Sequence, residues 1–282
     1  MRRATRIASV GFVNARPLIE GLERESDLAL QLEVPSALPQ LLRSGQADVA
    51  LLPTVELQRV EDVVIVPVGG IGCNGATLTV RIFSQTPLEQ VTTLACDPDS
   101  RTSVALARVI FAERFGTSPE FIPLRQARGG RGEARLLIGD KVVCEEPVGF
   151  EHQLDLGQAW KDLTGLPFVF AVWAARGDVG LGDLPGRLTE ARERGMDAIE
   201  AIIKKHAVPR GWPTGIAWQY LTSYLKFEIA EPQLSAIAHF HYLAGKHGVL
   251  EVMPRDIPVF GDHAPICPAE QVAPLRKTAS SA

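Results

Sequence analysis

Cysteine is scarce in this chain, which has only four among 282 residues: Cys73, Cys96, Cys144 and Cys267. The four lie far apart, form no C-x-x-C pair and have no histidine at zinc spacing. Neither a disulfide framework nor a metal site is therefore expected. Reduced thiols in the cytosol fit this cysteine usage best, so we expect a cytoplasmic protein.

An excess of positive charge is also missing, since 29 Lys and Arg face 33 Asp and Glu and leave a net charge of −4. No global positive field draws the chain to nucleic acid or to anionic lipid. The arginine-rich stretch 125–135 has no interleaved aromatic residue and is expected to be a solvated loop. No apolar run approaches the ~18 residues of a membrane span, so neither nucleic acid nor a membrane is an expected partner.

The start of the chain superficially matches an export signal, because a basic head with three arginines precedes the apolar stretch Ile7–Val13. That stretch is short, contains Ser9 and Gly11, and lacks an A-x-A-like cleavage site. It is better explained as a first strand that runs into a helix, and no export signal is expected.

Several catalytic motifs are absent as well. The chain has no G-x-S-x-G elbow, no H-E-x-x-H pair and no P-loop, which leaves hydrolase, zincin and NTPase chemistry without support. Gly70, Gly72 and Gly75 satisfy G-x-G-x-x-G, but strand-forming residues follow them where a dinucleotide site needs a helix. His239 and His241 are two residues apart, so a helix would point them at different faces.

What the sequence does contain is an alternation of short apolar strands and amphipathic helices, the order typical of α/β proteins with largely parallel sheets. Strands are predicted over 6–13 and 168–174, and helices over 17–25 and 101–115. A glycine turn is predicted over 69–75. This pattern predicts an α/β fold.

The chain is expected to pass between two domains twice, and these crossings interrupt the alternation of strands and helices. The chain becomes rich in strand-forming residues after Val63, and the apolar run Phe168–Ala174 suits a buried strand that returns to the first domain. We therefore expect a discontinuous domain of residues 1–85 and 176–282, with a second domain of residues 86–175 inserted into it.

Small polar residues follow several predicted strands at the point where a helix begins. Asn14 follows the first strand, Thr54 the third, and Ser100, Thr102 and Ser103 open the next long helix. Hydroxyls beside the free N–H groups of a first helical turn favour an anion, although the same residues also serve as caps. Ligands of open α/β sheets bind at the carboxyl ends of strands, so two such domains predict a cleft for a small carboxylate. The residues alone leave open whether this cleft belongs to a solute receptor or to an enzyme.

Longer sequence blocks carry a resemblance to a known family. The blocks are residues 10–18, 45–53, 100–106, 138–140, 155–157 with Trp160, and 164–173. In this order, and over nearly the whole chain, they resemble chorismate dehydratases, the enzymes that begin the futalosine route to menaquinone. Thr79 stands where the family leads us to expect serine, and the Arg/Gly stretch near 125–133 is atypical. The sister 1,4-dihydroxy-6-naphthoate synthases share the fold, but their first loop looks different.

The resemblance implies a two-domain, periplasmic-binding-protein-like (type II) fold with chorismate bound between the domains. It implies loss of the ring C3 hydrogen and the C4 hydroxyl, giving 3-[(1-carboxyvinyl)oxy]benzoate without a cofactor, because aromatisation drives the elimination.

Asn14 is the expected catalytic residue, since its amide can donate to and accept from the C4 hydroxyl or a carboxylate. The expected substrate-binding residues are Thr54, Thr79, Ser100, Arg101, Thr102, Ser103, Gly139 and Asp140. For the Arg101 guanidinium there are two alternatives to a position in the cleft: it points to solvent, or it pairs with Asp99. A small-carboxylate receptor and the sister synthase remain the alternative functions.

A general base does not stand out. Glu56, Asp97, Asp140 and Asp155 are each expected to act as caps or strand-end residues. A substrate-assisted route, in which the enolpyruvyl carboxylate takes the C3 proton, explains this absence as a hypothesis. The protein would then position and polarise the substrate.

Overall fold

A computed structural model describes residues 4–97, 100–126, 134–145, 147–251 and 253–269. The arginine-rich loop expected near 125–135 lies mostly outside the described residues. The strands, numbered along the chain, are β1 (Thr5–Val10), β2 (Leu28–Glu33), β3 (Val49–Pro53), β4 (Val63–Cys73), β5 (Val80–Ser84), β6 (Thr93–Cys96), β7 (Glu120–Pro123), β8 (Ala134–Ile138), β9 (His152–Asp155), β10 (Phe168–Arg176) and β11 (Leu225–Lys226). The α-helices are α1 (Leu38–Arg43), α2 (Arg101–Ile110), α3 (Asp140–Val143), α4 (Leu156–Thr164), α5 (Leu184–Asp197), α6 (Ile199–Ile202), α7 (Thr214–Gln219) and α8 (Glu231–Lys246). Within these ranges no helix combines the length and apolarity that a membrane crossing requires.

The strands form two sheets, in the orders β11-β4-β10-β3-β1-β2 and β7-β6-β8-β5-β9. In the first sheet β1 pairs in parallel with β2 and β3, and in the second β6 pairs in parallel with β7 and β8. Strand β10 in the first sheet and strand β5 in the second are antiparallel to both of their neighbours. The predicted α/β class is confirmed, with mixed sheets where largely parallel ones were expected.

The glycine-rich segment near residue 70 is part of a strand, which corrects the turn predicted over 69–75. Strand β4 continues through it to Cys73. A Cβ atom at Gly70 would lie 2.6 Å from the Ala171 carbonyl oxygen, and one at Gly72 would lie 2.8 Å from that of Phe168. The glycines therefore permit a close approach of β10, and they do not signal a reversal of the chain.

The segment after β1 is also different from its prediction. Two 3-10 turns, Val13–Leu18 and Leu22–Arg24, replace the helix expected over 17–25. Pro17 lies inside the first turn and has no N–H to donate, and Gly21 between the turns has a φ of 84° that ends helical winding. The predicted helix at 101–115 is confirmed, as α2 followed by a π-helical turn that Gly116 ends.

The two sheets have separate cores that α8 connects. Leu234 and Ile237 pack in the core of the first sheet, whereas Phe240 and Leu243, further along α8, pack beside Trp160 in the core of the second. Strand β5 lies in the second sheet and β10 in the first. We therefore propose that the two-domain division follows the sheets, with crossings at 74–79 and 165–167. These lie about six to eleven residues before the boundaries expected from sequence, so β5 belongs with the second sheet and β10 with the first.

His241 is a buried residue that ties α8 to the segment after β3. Its Nε2 lies 2.9 Å from the Thr54 carbonyl oxygen, and its Nδ1 lies 3.0 Å from the Gln58 side-chain nitrogen. Gln58 also bonds both backbone groups of Arg255. An amide nitrogen only donates, so Nδ1 accepts and the neutral ring donates from Nε2. Burial lowers the pKa of His241 to about 4.

This buried histidine predicts a loss of stability in acid. The unfolded chain binds a proton near pH 6.5 that the folded ring binds only near pH 4, so stability is complete above 6.5 and falls between these values. Over the whole window the loss from this group is about 3 kcal/mol at 1.36 kcal/mol per pKa unit. Urea unfolding of wild type and His241→Gln from pH 7.5 to 4 should show a smaller decline in the variant. Parallel curves would contradict this role, and the exposed His263→Gln serves as control.

Candidate active site

A cavity of about 200 Å³ lies where the carboxyl ends of strands from the two sheets face each other. Its wall on the side of the first sheet includes Asn14, Pro53 and Tyr220. On the side of the second sheet it includes the start of α2 and the segment after β8. Of the residues expected at the site, the cavity brings together Asn14, Thr79, Ser100, Arg101, Thr102, Ser103, Gly139 and Asp140.

The amino terminus of α2 forms one end of this cavity. Ser100 is the N-cap residue, yet its side chain makes no capping hydrogen bond. Ser100, Thr102 and Ser103 are buried, with exposures of 6%, 4% and 4%. The N–H groups of a first helical turn have no partner within the helix, and the helix dipole adds partial positive charge there. This end of the cavity therefore suits an anion.

Two cations at the cavity wall are held by buried carboxylates. Arg101 lies 3.0 Å from Glu56, which Arg59 also contacts at 3.0 Å. Lys141 lies 2.6 Å from Asp97. Arg101 is therefore oriented by Glu56, and Asp99, the alternative partner expected from sequence, lies outside the described residues.

Thr54 differs from the other expected substrate contacts, because it does not line the cavity. Its side chain is fully buried, and its hydroxyl donates to the Val169 carbonyl oxygen at 2.7 Å. The preceding residue, Pro53, reaches the cavity instead. Thr54 thus joins β10 to the end of β3, which places it behind the cavity wall.

Asn14, Thr79 and Tyr220 line the same cavity. The Thr79 hydroxyl donates to the Tyr220 hydroxyl at 3.0 Å. The Asn14 Oδ1 atom is buried and has no hydrogen-bond partner among the described residues. An unpaired buried acceptor is costly unless a ligand supplies the donor. Asn14 therefore brings to the cavity wall an amide whose buried oxygen no described donor satisfies.

Asp140 crosses the cavity to the opposite wall. The Trp212 indole donates to its Oδ1 at 2.6 Å, and Arg210 lies 3.8 Å from its Oδ2. Gly139 before it has a φ of 59°, a conformation that favours glycine, and its N–H donates to the Thr79 carbonyl oxygen. Asp140 therefore links the second sheet to Arg210 and Trp212, which come after β10 in the chain.

The carboxylates that could act as a base are all engaged in other contacts. Asp155 caps α4 and also accepts from the backbone of Thr77 and Leu78, as its expected capping role predicts. Glu56 and Asp97 pair with cations as described above. In the part of the chain that the structure describes, no three His, Cys, Asp or Glu side chains are grouped as a metal site would require.

Sequence reasoning missed several residues that line the cavity, among them Lys141, Trp212 and Tyr220. Trp212 and Tyr220 follow β10, in a part of the chain that is rich in helices, where an aromatic side chain most often belongs to a core. Their rings pack together, with centroids 5.2 Å apart. Lys141 adjoins the predicted pair at 139–140, and this adjacency is the one local signal that could have identified it.

Solved structures confirm the expected periplasmic-binding-protein-like fold. A protein from Archaeoglobus fulgidus has a TM-score of 0.68 and 14% identity, with 87% of this chain and 98% of that chain covered. The periplasmic aliphatic sulphonate binding protein of Escherichia coli has a TM-score of 0.60 and 15% identity, with 90% and 95% covered. At these identities the likeness concerns the fold.

Sequence comparisons point to a biosynthetic family. The chorismate dehydratase of Thermus thermophilus is 27% identical over 260 residues, which cover 80% of this chain and 94% of that protein. The chorismate dehydratase of Campylobacter jejuni is 27% identical over 173 residues, which cover 57% and 63%. A family model described as menaquinone biosynthesis matches residues 5–246. The chain therefore belongs to this menaquinone biosynthesis family, in agreement with the resemblance of its sequence blocks.

Proposed function

We propose that this chain is a chorismate dehydratase, a lyase that removes water from chorismate to give 3-[(1-carboxyvinyl)oxy]benzoate. The observation that carries the proposal is the opposed chemistry of the cavity walls. One end has the uncapped start of α2 with its three hydroxyls, and the other has the unpaired Oδ1 of Asn14. Chorismate offers carboxylates to the first and a hydroxyl to the second. The names of the two relatives support the same substrate.

In the proposed complex the ring carboxylate lies at the start of α2. Removal of the C3 proton pushes negative charge through the ring diene toward that carboxylate. The N–H groups and hydroxyls of Ser100, Thr102 and Ser103 stabilise this charge as it develops. Lys141, whose charge is balanced by Asp97 at 2.6 Å, adds an ammonium donor to the same wall.

The enolpyruvyl carboxylate of the substrate takes the C3 proton. The protein carboxylates near the cavity are paired, which supports this assignment. Asn14 Oδ1 accepts the hydrogen of the C4 hydroxyl, so the oxygen lone pairs face the newly formed carboxylic acid. As the C4–O bond breaks and the C3–C4 double bond forms, that acid returns its proton to the leaving oxygen, and water departs.

The proposal places the reaction at the start of the futalosine route to menaquinone. The four cysteines are free, which supports a reducing compartment such as the cytoplasm. Incubation with chorismate, followed by NMR and mass spectrometry, tests the activity: the expected product is aromatic and lighter by one water. Intact chorismate after long incubation with folded protein would favour a receptor for small carboxylates, and a naphthoate-forming activity would favour the sister synthase.

The anion-binding role of α2 predicts a loss of affinity when its hydroxyls are removed. Each charge-assisted hydrogen bond contributes about 1.5–3 kcal/mol, so Thr102→Val and Ser103→Ala should each raise the Kd of the product about tenfold or more. Calorimetric titration measures this change, with Thr189→Val on α5 as the control. Unchanged affinity together with a lowered Tm would mean that these residues only cap the helix.

A further inference from the structure

An exposed connection, residues 208–213, leads to α7 along the edge of the cavity, and we call it the strap. Trp212 is the one buried residue of the strap, 3% exposed, and the one that lines the cavity. Its ring packs on Tyr220 in the core of the first sheet, and Arg210 donates to the Gly11 carbonyl oxygen at 2.9 Å. The strap therefore belongs to the wall on the side of the first sheet.

The strap meets the second sheet through both ends of the short helix α3. At the start of α3, Asp140 Oδ1 accepts from the Trp212 indole at 2.6 Å. Just after α3, the Cys144 thiol donates to the Arg210 carbonyl oxygen at 3.4 Å. Asp140 lines the cavity and is 43% exposed, so its bond lies where the cavity meets solvent. A charge-assisted hydrogen bond, the stronger of these two contacts, thus joins the cavity walls at their rim.

The contacts of Asp140 do not suit a residue that binds the proposed substrate. Chorismate and its product each carry two carboxylates, and a third carboxylate beside them would repel them. Oδ1 of Asp140 is occupied by the indole of Trp212, and Oδ2 lies 3.8 Å from Arg210. Both oxygens therefore face side chains of the strap.

We propose that Asp140 is a positioning residue that acts through Trp212: it holds the strap against the second sheet and thereby slows release of the bound ligand. The inference rests on the proposed function for its ligand, the product 3-[(1-carboxyvinyl)oxy]benzoate. It differs from the substrate contact that the sequence led us to expect for Asp140. Because the walls part at this rim only when the indole leaves the carboxylate, the bond affects release and leaves the chemical step unchanged.

The test is a double-mutant cycle between Asp140→Ala and Trp212→Phe. Each variant loses the same charge-assisted hydrogen bond, and each should raise the koff of the product about tenfold or more. In the Trp212→Phe background, Asp140→Ala should add no more than about twofold, from its exposed contact with Arg210. Line-shape analysis of the proton NMR signals of the product measures koff, and the single-turnover rate of water loss should stay within about twofold of wild type.

Two further variants separate this role from others. Asp140→Asn keeps Oδ1 as an acceptor, so its koff should stay within about threefold of wild type. Trp218→Phe removes an indole that is 45% exposed on α7, outside the cavity lining, and it is the matched control with unchanged koff. If Trp212→Phe lowers the Tm, the half-exposed Asp140→Ala still tests the bond.

Hydrogen exchange without ligand provides a measurement that does not depend on the proposed function. The amides of the strap should exchange faster in Asp140→Ala than in wild type, because the strap opens more often. In Trp218→Phe they should exchange at the wild-type rate. Failure of the wild type to bind the product would refute the proposed function, and the exchange rates would still decide whether Asp140 holds the strap.

Three outcomes would overturn the inference. Wild-type release and wild-type exchange in Asp140→Ala would mean that the bond does not hold the strap. An equal rise of koff in both backgrounds of the cycle would mean that Asp140 contacts the ligand directly. A lost single-turnover rate in Asp140→Asn, with release unchanged, would make Asp140 a catalytic base.

Discussion

Asn14→Ala should lower the turnover of chorismate at least ~100-fold, a change of about 3 kcal/mol in transition-state stabilisation. The reason is that Asn14 lines the cavity and its buried Oδ1 has no hydrogen-bond partner among the described residues, so we propose that the substrate supplies the donor. For the same reason the Tm should remain close to that of the wild type. Initial rates at saturating chorismate and thermal melting measure the two quantities.

A matched control for Asn14→Ala is Gln158→Ala, which removes an exposed amide from α4. It should leave both turnover and Tm nearly unchanged. Wild-type turnover in Asn14→Ala would reduce Asn14 to a residue that supports the turn before Pro17. A large drop in Tm would mean that the amide holds the fold and does not act in the reaction.

Asp155→Ala should destabilise the protein by at least about 3 kcal/mol, because several charge-assisted hydrogen bonds are lost together. The carboxylate accepts from the backbone N–H groups of Thr77, Leu78, Gly157 and Gln158, at 2.9–3.1 Å. It therefore joins the start of α4 to the crossing segment that leads to Thr79. Turnover should fall with stability, since that segment forms part of the cavity wall.

The comparison for Asp155 is Asp162→Ala, which removes a carboxylate that is 46% exposed on the same helix. Surface substitutions of this kind change stability by about 0.5 kcal/mol or less. Asp155→Asn keeps one acceptor oxygen and should give an intermediate loss. Urea unfolding at neutral pH measures all three variants. Equal stabilities of Asp155→Ala and Asp162→Ala would contradict the tethering role.

The parts of the site that could be predicted from the sequence are those that depend on residue types close together in the chain. Ser100 at the start of α2 and Gly116 after its π-helical end identify that helix from residue types alone. The strand-end rule brought Asn14 correctly to the cavity wall. The same rule failed for Thr54, because its hydroxyl donates to the Val169 carbonyl oxygen in β10 and does not reach the cavity.

The remaining parts depend on contacts between distant segments. Gly70 and Gly72 are needed because β10 passes within contact distance of β4, a requirement that no residue near them indicates. Tyr220 reaches Thr79 across 141 positions of the chain. Only the assembled fold shows that this phenol belongs to the cavity and not to a helix core.

In the proposed reaction chorismate loses its C3 hydrogen and its C4 hydroxyl in this cavity. Chorismate deuterated at C3, incubated with the purified chain, tests it most directly, with the product followed by mass spectrometry and proton NMR. We predict an aromatic product that has lost one HDO, at a rate reduced at least ~100-fold in Asn14→Ala. Retention of the deuterium in the product, or chorismate recovered unchanged from folded wild-type protein, would contradict the account.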